Sequence, residues 1–418
     1  MAAVHLTDSN RHPPATSPGW WRNRIFYRVD TRAFNDSDAD GIGDLEGVRH
    51  RLGYLELIGI EAVWLTGVIA SPVGRAGQGR DVDPLVGTVE ALETLVAEAH
   101  EAGIGIVLDL AVDGSVPTDP RGVEELGATL RYWTTHGIDG FRVASTPGIT
   151  GPVDENTHAI LRLARQCLGE SRIVPIGGLV QHWHTASGPL VELDLGVDDR
   201  FSTTPFEALR IRQVIDTVLN DSGNVGSTPV WTLSNWDHPR PTTRFGGGAT
   251  GLARARAMAL VQFALPGVAG VDNGTELGLP ESERPDRTSS HPVRGMIPWE
   301  GSEPPFGFSS APAGWWPTPP SWASSTVETQ LEDPDSTLSL HRNAMELRRS
   351  YELATLAPIR WYGAPRGCLA FRHDRGKLTC ALNTSSTSVP APPGEIVLCS
   401  SPLDTGDRLP PNTAVWLV

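Results

Sequence analysis

The chain has 418 residues, 39% of them hydrophobic and 20% charged, with a formal net charge of −15 and a pI near 5.2. It is long enough to bury a large core and to form more than one domain, and its acidity argues against nucleic acid or an anionic membrane as partner, since both require a basic face. No charged-then-apolar leader opens it and no apolar run reaches the ~18 residues of a membrane span, so a cytoplasmic protein is expected.

Residues 1–18 are polar, carry three prolines and read as a disordered tail. From about residue 20, short apolar strands alternate with amphipathic helices. Strands are expected at 25–30, 61–66, 104–112, 139–144, 172–177, 193–197, 229–234 and 267–272, the third as an almost unbroken apolar run. Helices are expected at 45–57 and 88–102, the second with Val89, Leu92, Leu95, Val96 and Ala99 on one face and Glu90 and Glu93 near its positive start. Eight strand–helix units fit a (β/α)8 TIM barrel of class α/β, with its site at the C-terminal strand ends. Residues 281–325 are rich in Pro, Ser, Gly and Trp and cannot form a regular helix; the segment is expected to pack across the barrel rather than to stay exposed. A last barrel helix is expected at 335–349, and alternating strands after 357 form a small antiparallel β domain. The expected division is thus a tail over 1–18, a barrel over 19–356 and a C-terminal β-sandwich over 357–418. Cys167, Cys368, Cys380 and Cys399 have no metal-ligand spacing and read as reduced thiols.

Several collinear motifs resemble the α-glucosidase and oligo-1,6-glucosidase group of the α-amylase superfamily. They are WWRNRIFYRVDTRAFNDSDADGIGDLEG at 20–47, VWLTGVIASP at 63–72, DVDPLVGT at 81–88, IDGFRV at 138–143, LSNWDHPR at 233–240, NGTELGLP at 273–280 and RGMIPW at 294–299. PPFGF at 304–308 and DPDSTLSLHR at 333–342 look like the actinobacterial members in particular. The resemblance runs from about residue 20 to the C-terminus.

The resemblance implies retaining glycoside hydrolysis, in which one carboxylate attacks the anomeric carbon and another, roughly 5–5.5 Å away, protonates the leaving oxygen. The nucleophile is expected two residues after the Arg of the GFR motif. Counting from Arg142 gives Ala144, whose methyl group cannot form a glycosyl-enzyme. The acid/base position falls on Gly178 in VPIGGLV, and the third carboxylate survives as Asp237, beside Asn235 and with Trp236 in place of a histidine. Where the third strand of the resembled group ends in Asn-His this chain has Asp113-Gly114, the first-strand Gln and Tyr become Arg28 and Asp30, and a Tyr becomes Asp272. The subdomain inserted after the third strand is missing, which leaves any pocket shallower and wetter.

Arg142, Asn235, Trp236, Asp237 and Asp113 are the candidate sugar contacts. Arg142 either binds a sugar hydroxyl or an anion, or pairs internally with Asp237 or Asp113; the internal pair is the expectation. Trp236 is either a stacking platform or a plug. Asp30, Asp113 and Asp272 are expected as solvated strand ends, and His182 and His184 as exposed loop histidines rather than a metal pair.

The Asp-rich stretch Asp36-Ser-Asp38-Ala-Asp40-Gly-Ile42-Gly-Asp44 places oxygen donors at alternate positions, with Gly41 allowing a sharp turn, which suits Ca²⁺ or Mg²⁺. The resemblance implies a structural Ca²⁺ held by Asp36, Asp38, Asp40, the Ile42 carbonyl and Asp44. The other reading is a self-capped Asp turn. Functionally the expectation is a degenerate α-glucosidase-like protein of carbohydrate metabolism, a sugar-binding or regulatory pseudoenzyme with a small sugar or a protein as partner. The alternative is an enzyme with repurposed acid/base chemistry at Asp237 and its neighbours.

Overall fold

The computed structural model describes residues 19–73, 79–112, 120–145, 155–168, 184–185, 188–189, 195–234, 238–282 and 295–418. The tail over 1–18 and the strand expected at 172–177 lie outside them. Seven parallel strands form one sheet: β1 (Ile25–Asp30), β2 (Ala62–Thr66), β3 (Gly105–Val112), β4 (Gly140–Ser145), β5 (Leu195–Val197), β6 (Thr228–Thr232) and β7 (Val268–Asp272). Their order is β4-β3-β2-β1-β7-β6-β5, so the two flanking strands are the ones between which residues 172–177 fall in the chain. This is the (β/α)8 barrel expected from the alternation. Covered on both faces, β2 is buried at every residue, which is why its sequence reads AVWLT with no polar alternation.

The helices between strands are α1 (Thr31–Phe34), α2 (Leu45–His50), α3 (Leu52–Ile58), α4 (Val89–Glu101), α5 (Pro120–Thr135), α6 (Glu155–Leu168), α7 (Asp199–Thr203), α8 (Ala208–Val225), α9 (Pro241–Arg244) and α10 (Gly248–Ala264). The single helix expected over 45–57 is two. The break falls at Arg51, whose guanidinium lies 4.3 Å from the Trp299 ring centroid and donates to Asn35 Oδ1, contacts with the 295–326 segment and the loop after α1 that no helical periodicity foretells. In α4 the Thr88 hydroxyl accepts the Ala91 N–H, and Leu92, Leu95, Val96 and Ala99 are buried as expected, with Val89 only half so. Only seven residues join β3 to α5, so no subdomain fits there. At the α5–β4 turn Gly137 takes φ +87°, and a Cβ there would stand 2.8 Å from Val96 Cγ1.

The last barrel helix expected over 335–349 is α12 (Thr337–Ser350), and a short α11 (Val327–Glu332) precedes it. The break between them is capped, since the Ser336 hydroxyl accepts the Ser339 N–H and donates to the Gln330 carbonyl. Beyond it, β8 (Ile359–Trp361), β9 (Cys368–His373), β10 (Thr379–Asn383), β11 (Ile396–Cys399) and β12 (Thr413–Leu417) form an antiparallel sheet in the order β8-β9-β10-β12-β11. Trp416, fully buried, ties this sheet to the barrel by donating to the Leu260 carbonyl of α10 at 3.0 Å. All four thiols are free, and among the described residues no helix is long and apolar enough to cross a membrane.

Candidate functional site

Parallel register brings one polar layer together inside the barrel. Arg28 on β1 stands opposite Trp64 on β2 and Asp272 on β7, and Asp109 on β3 stands opposite Arg142 on β4. Arg28 donates to Asp272 Oδ2 at 2.7 Å, and the Ser234 hydroxyl reaches the same oxygen. Arg142 donates to Asp109 Oδ2 at 3.0 Å, while Trp64 Nε1 donates to Asp109 Oδ1 at 2.8 Å. Both guanidinium carbons lie over the Trp64 ring, Arg28 at 5.7 Å and Arg142 at 5.4 Å from its centroid, close enough for cation–π attraction. Each cation therefore has a carboxylate of its own on the neighbouring strand.

Arg142 makes an internal ion pair, as expected, and among the described residues its partner is Asp109; Asp237 and Asp113 lie outside them. The geometry corrects one expectation. Asp272 is not a solvated strand end: it is 4% exposed and ion-paired, because the neighbouring strand carries Arg28. Asp109 and Trp64 were not among the candidates. The available signal was that Asp109 is the one charged residue in the apolar run 104–112, a sign of an inward-facing partner. Asp139, fully buried, accepts the Ile106 N–H and His100 Nε2, each at 2.8 Å, and so joins β3, β4 and α4.

Ala144 lies on β4 in register with Ala111 of β3, two residues beyond Arg142. Asp113, Gly178, His182, Asn235, Trp236 and Asp237 lie outside the described residues. His184 belongs to a two-residue ladder, His184–Thr185 with Gly188–Pro189.

The Asp loop leaves β1 through α1. Carboxylate oxygens of Asp36, Asp38 and Asp40 all lie within 4.8 Å of one another. Asp36 is buried and accepts the N–H groups of Asp38, Ala39 and Gly41; Asp38 accepts from Asp40, and Asp40 from Ile42. Asp44 is set apart from these three. It caps α2 through the Gly47 N–H and accepts both the N–H and the hydroxyl of Ser37. Gly47 admits no side chain, since a Cβ would stand 1.9 Å from the Asn35 carbonyl oxygen. The Asp40 N–H holds the Asp38 carboxyl down, but desolvation and the charges of Asp40, Asp44 and Asp36 outweigh it and leave its pKa raised. That mutual repulsion among hard oxygen donors is what a divalent cation would relieve, so the donor set suits one chemically.

The segment 295–326 lies against this loop, as expected of a docked strap. Trp299, Phe306, Phe308 and Trp322 are buried, Trp316 is half-buried and Trp315 is 41% exposed.

Behind β1, Glu276 is fully buried and its Oε1 accepts the hydroxyls of Tyr27 at 2.8 Å and Tyr54 at 2.9 Å, while Oε2 has no hydrogen-bond partner among the described residues. Burial raises its pKa against the lowering by both tyrosines, its own N–H and Arg240. A carboxyl raised above its unfolded value of about 4.3 contributes stability at low pH that is lost as pH rises through the folded value. The variant Glu276→Gln, which cannot ionise, should therefore gain stability relative to the wild type between pH 4 and pH 8. Urea unfolding at the two pH values checks this; a gap that does not widen in favour of the variant contradicts it.

Known proteins place this architecture. A probable α-glucosidase of Rhizobium meliloti (strain 1021) is 24% identical over 494 aligned positions, covering 88% of this chain and 89% of that one. An oligo-1,6-glucosidase of Heyndrickxia coagulans is 40% identical over a shorter stretch of 98 residues, 22% of this chain and 18% of its own length. Isomaltulose synthase from Klebsiella sp. LX3 has the same fold, with a TM-score of 0.80 at 17% identity over 96% of this chain and 99% of its own. The Alpha amylase catalytic-domain model matches residues 28–115 and 192–356, more than half of the sequence, and on that match the chain belongs to the α-amylase family.

Proposed function

We propose that this protein is a degenerate α-glucosidase-like member of the family, unable to hydrolyse α-glucosides by the retaining route, and that it acts in the cytoplasm as a sugar-binding or regulatory pseudoenzyme. One observation carries the reading. On β4, two residues after Arg142, where the resembled enzymes keep their nucleophile, the chain has the methyl group of Ala144. A methyl cannot attack an anomeric carbon. The self-paired layer of Arg28, Asp272, Asp109 and Arg142 supports it, because groups held by one another are not available to a sugar without first breaking those pairs. The two matched segments of the family model also flank residues 116–191, the stretch that contains Ala144 and Gly178. The reading includes a structural Ca²⁺, or Mg²⁺ in its place, at Asp36, Asp38 and Asp40, supported by the mutual approach of their oxygens. Such an ion would supply charge neutralisation for the loop, not chemistry at the barrel.

The test is hydrolysis of 4-nitrophenyl α-glucoside, maltose and sucrose. No turnover above the uncatalysed rate is expected from the wild type. The double variant Ala144→Asp, Gly178→Glu is expected to remain inactive too, because the wall provided by the inserted subdomain is absent. Turnover by the wild type would sink the proposal and favour repurposed acid/base chemistry at Asp237; turnover by the double variant alone would mean that the pocket is intact apart from its two carboxylates.

A further inference from the structure

The Asp loop and the tryptophan-rich strap touch through backbone groups, not only through side chains. The Trp315 N–H donates to the Gly41 carbonyl at 2.7 Å, and its indole Nε1 donates to the Arg32 carbonyl at 2.7 Å. From the other side, the Asp36 N–H donates to the Phe308 carbonyl at 2.8 Å and Asn35 Nδ2 to the same oxygen at 2.7 Å. The loop is thus gripped immediately before and immediately after the three carboxylates. Gly41 takes φ +89° at the turn, and a Cβ there would stand 3.2 Å from the Ala313 carbonyl oxygen, so strap and turn are in close contact. Trp315 is 41% exposed. The ring itself is held by the Nε1 bond and by the Trp316 ring, whose centroid is 5.7 Å away.

We infer that residues 306–316 form the outer wall of the cation loop, so that cation binding and docking of the strap are coupled, with Trp315 as the positioning residue. The inference rests on the cation reading of Asp36, Asp38 and Asp40 given above. The physical link is the turn at Gly41. Asp36 and Asp40 must converge for an ion to bridge them, and the Gly41 and Arg32 carbonyls held by Trp315 lie on either side of the segment that has to converge. Groups that orient a ligand set from outside commonly contribute 10–100-fold in metal affinity. Coupling is reciprocal: if the docked strap favours the ion, the ion favours the docked strap by the same factor. The strap also follows the exit of β1, where the Ile297 N–H donates to the Ala33 carbonyl and Trp299 Nε1 to that of Phe34. Loss of the ion would therefore loosen one side of the barrel mouth.

The experiment is Ca²⁺ titration of chelator-treated full-length protein by calorimetry, repeated with Mg²⁺, together with amide hydrogen exchange over residues 306–316 with and without the ion. The variants are Trp315→Phe, which keeps a ring but loses the indole donor, and Trp315→Ala. The expected result is that the wild type binds Ca²⁺, that the ion slows exchange of the strap amides, and that Trp315→Phe weakens binding about tenfold. Because Trp315 is half-open, the phenylalanine variant should fold as the wild type does; if the alanine variant does not, the wild-type exchange data and the phenylalanine variant still decide. Ca²⁺ binding of unchanged affinity in the variants, with strap exchange unaffected by the ion, would overturn the coupling and leave the cation site standing. No binding of either ion by the wild type would remove the cation reading and the coupling with it.

Discussion

Replacing Arg28 by alanine is expected to destabilise the fold by about 3–5 kcal/mol, the range for removing one partner of a buried ion pair. Arg28 is 8% exposed and Asp272 4%, so truncation takes from a buried carboxylate its ion pair with Arg28, and that removal costs more than the net value of the pair. Replacing both partners with apolar residues, Arg28→Met with Asp272→Leu, should therefore cost far less than either truncation and could even stabilise. Urea unfolding separates the cases: the single variant should lower the midpoint with an unchanged slope, and the double variant should restore most of it. A loss below about 1 kcal/mol for Arg28→Ala would place the pair in the range of solvent-screened surface bridges, and the paired layer would no longer support the proposal of an inactive barrel mouth.

The second large effect is expected at Trp299. Its ring meets Phe34 and Tyr54 edge-on, with centroids 5.1 and 5.0 Å away, and the Arg51 guanidinium lies over it. Its indole N–H donates to the Phe34 carbonyl at 2.7 Å. Trp299→Ala opens a cavity between the strap and the first helices and should cost about 3–5 kcal/mol. Trp299→Phe keeps most of the ring contact and loses the donor, leaving the Phe34 carbonyl short of a partner, so about 1 kcal/mol is expected. Thermal unfolding measures both, and chymotrypsin sensitivity at Phe306 and Phe308 should rise in the alanine variant before the barrel unfolds. Equal stability of the alanine variant would mean that the strap contributes nothing to the fold.

The barrel was legible because its strands are local runs. AVWLT and GIVLDLAV need only be covered on both faces to read as they do. The Asp loop was legible for the same reason, its three clustered carboxylates lying within five residues of chain. The alanine at the position where the resemblance expects the nucleophile could be read by counting two residues from Arg142, again a local operation. Leu45–His50 and Leu52–Ile58 were harder to separate, since Arg51 is drawn out of the helix by Trp299 and Asn35, far from it in sequence or outside its own turn.

The sequence alone therefore determined the strand–helix alternation, the (β/α)8 class, the carboxylate loop and the methyl group where a nucleophile is expected. Only the tertiary structure decided which charges meet. Arg142 finds Asp109 across 33 residues, Arg28 finds Asp272 across 244, and Tyr27 and Tyr54 find Glu276 across 249 and 222. The reason is that side-chain identity specifies a need for a partner, whereas strand order and register specify which partner comes within 3 Å, and register is set by the packing of the whole barrel.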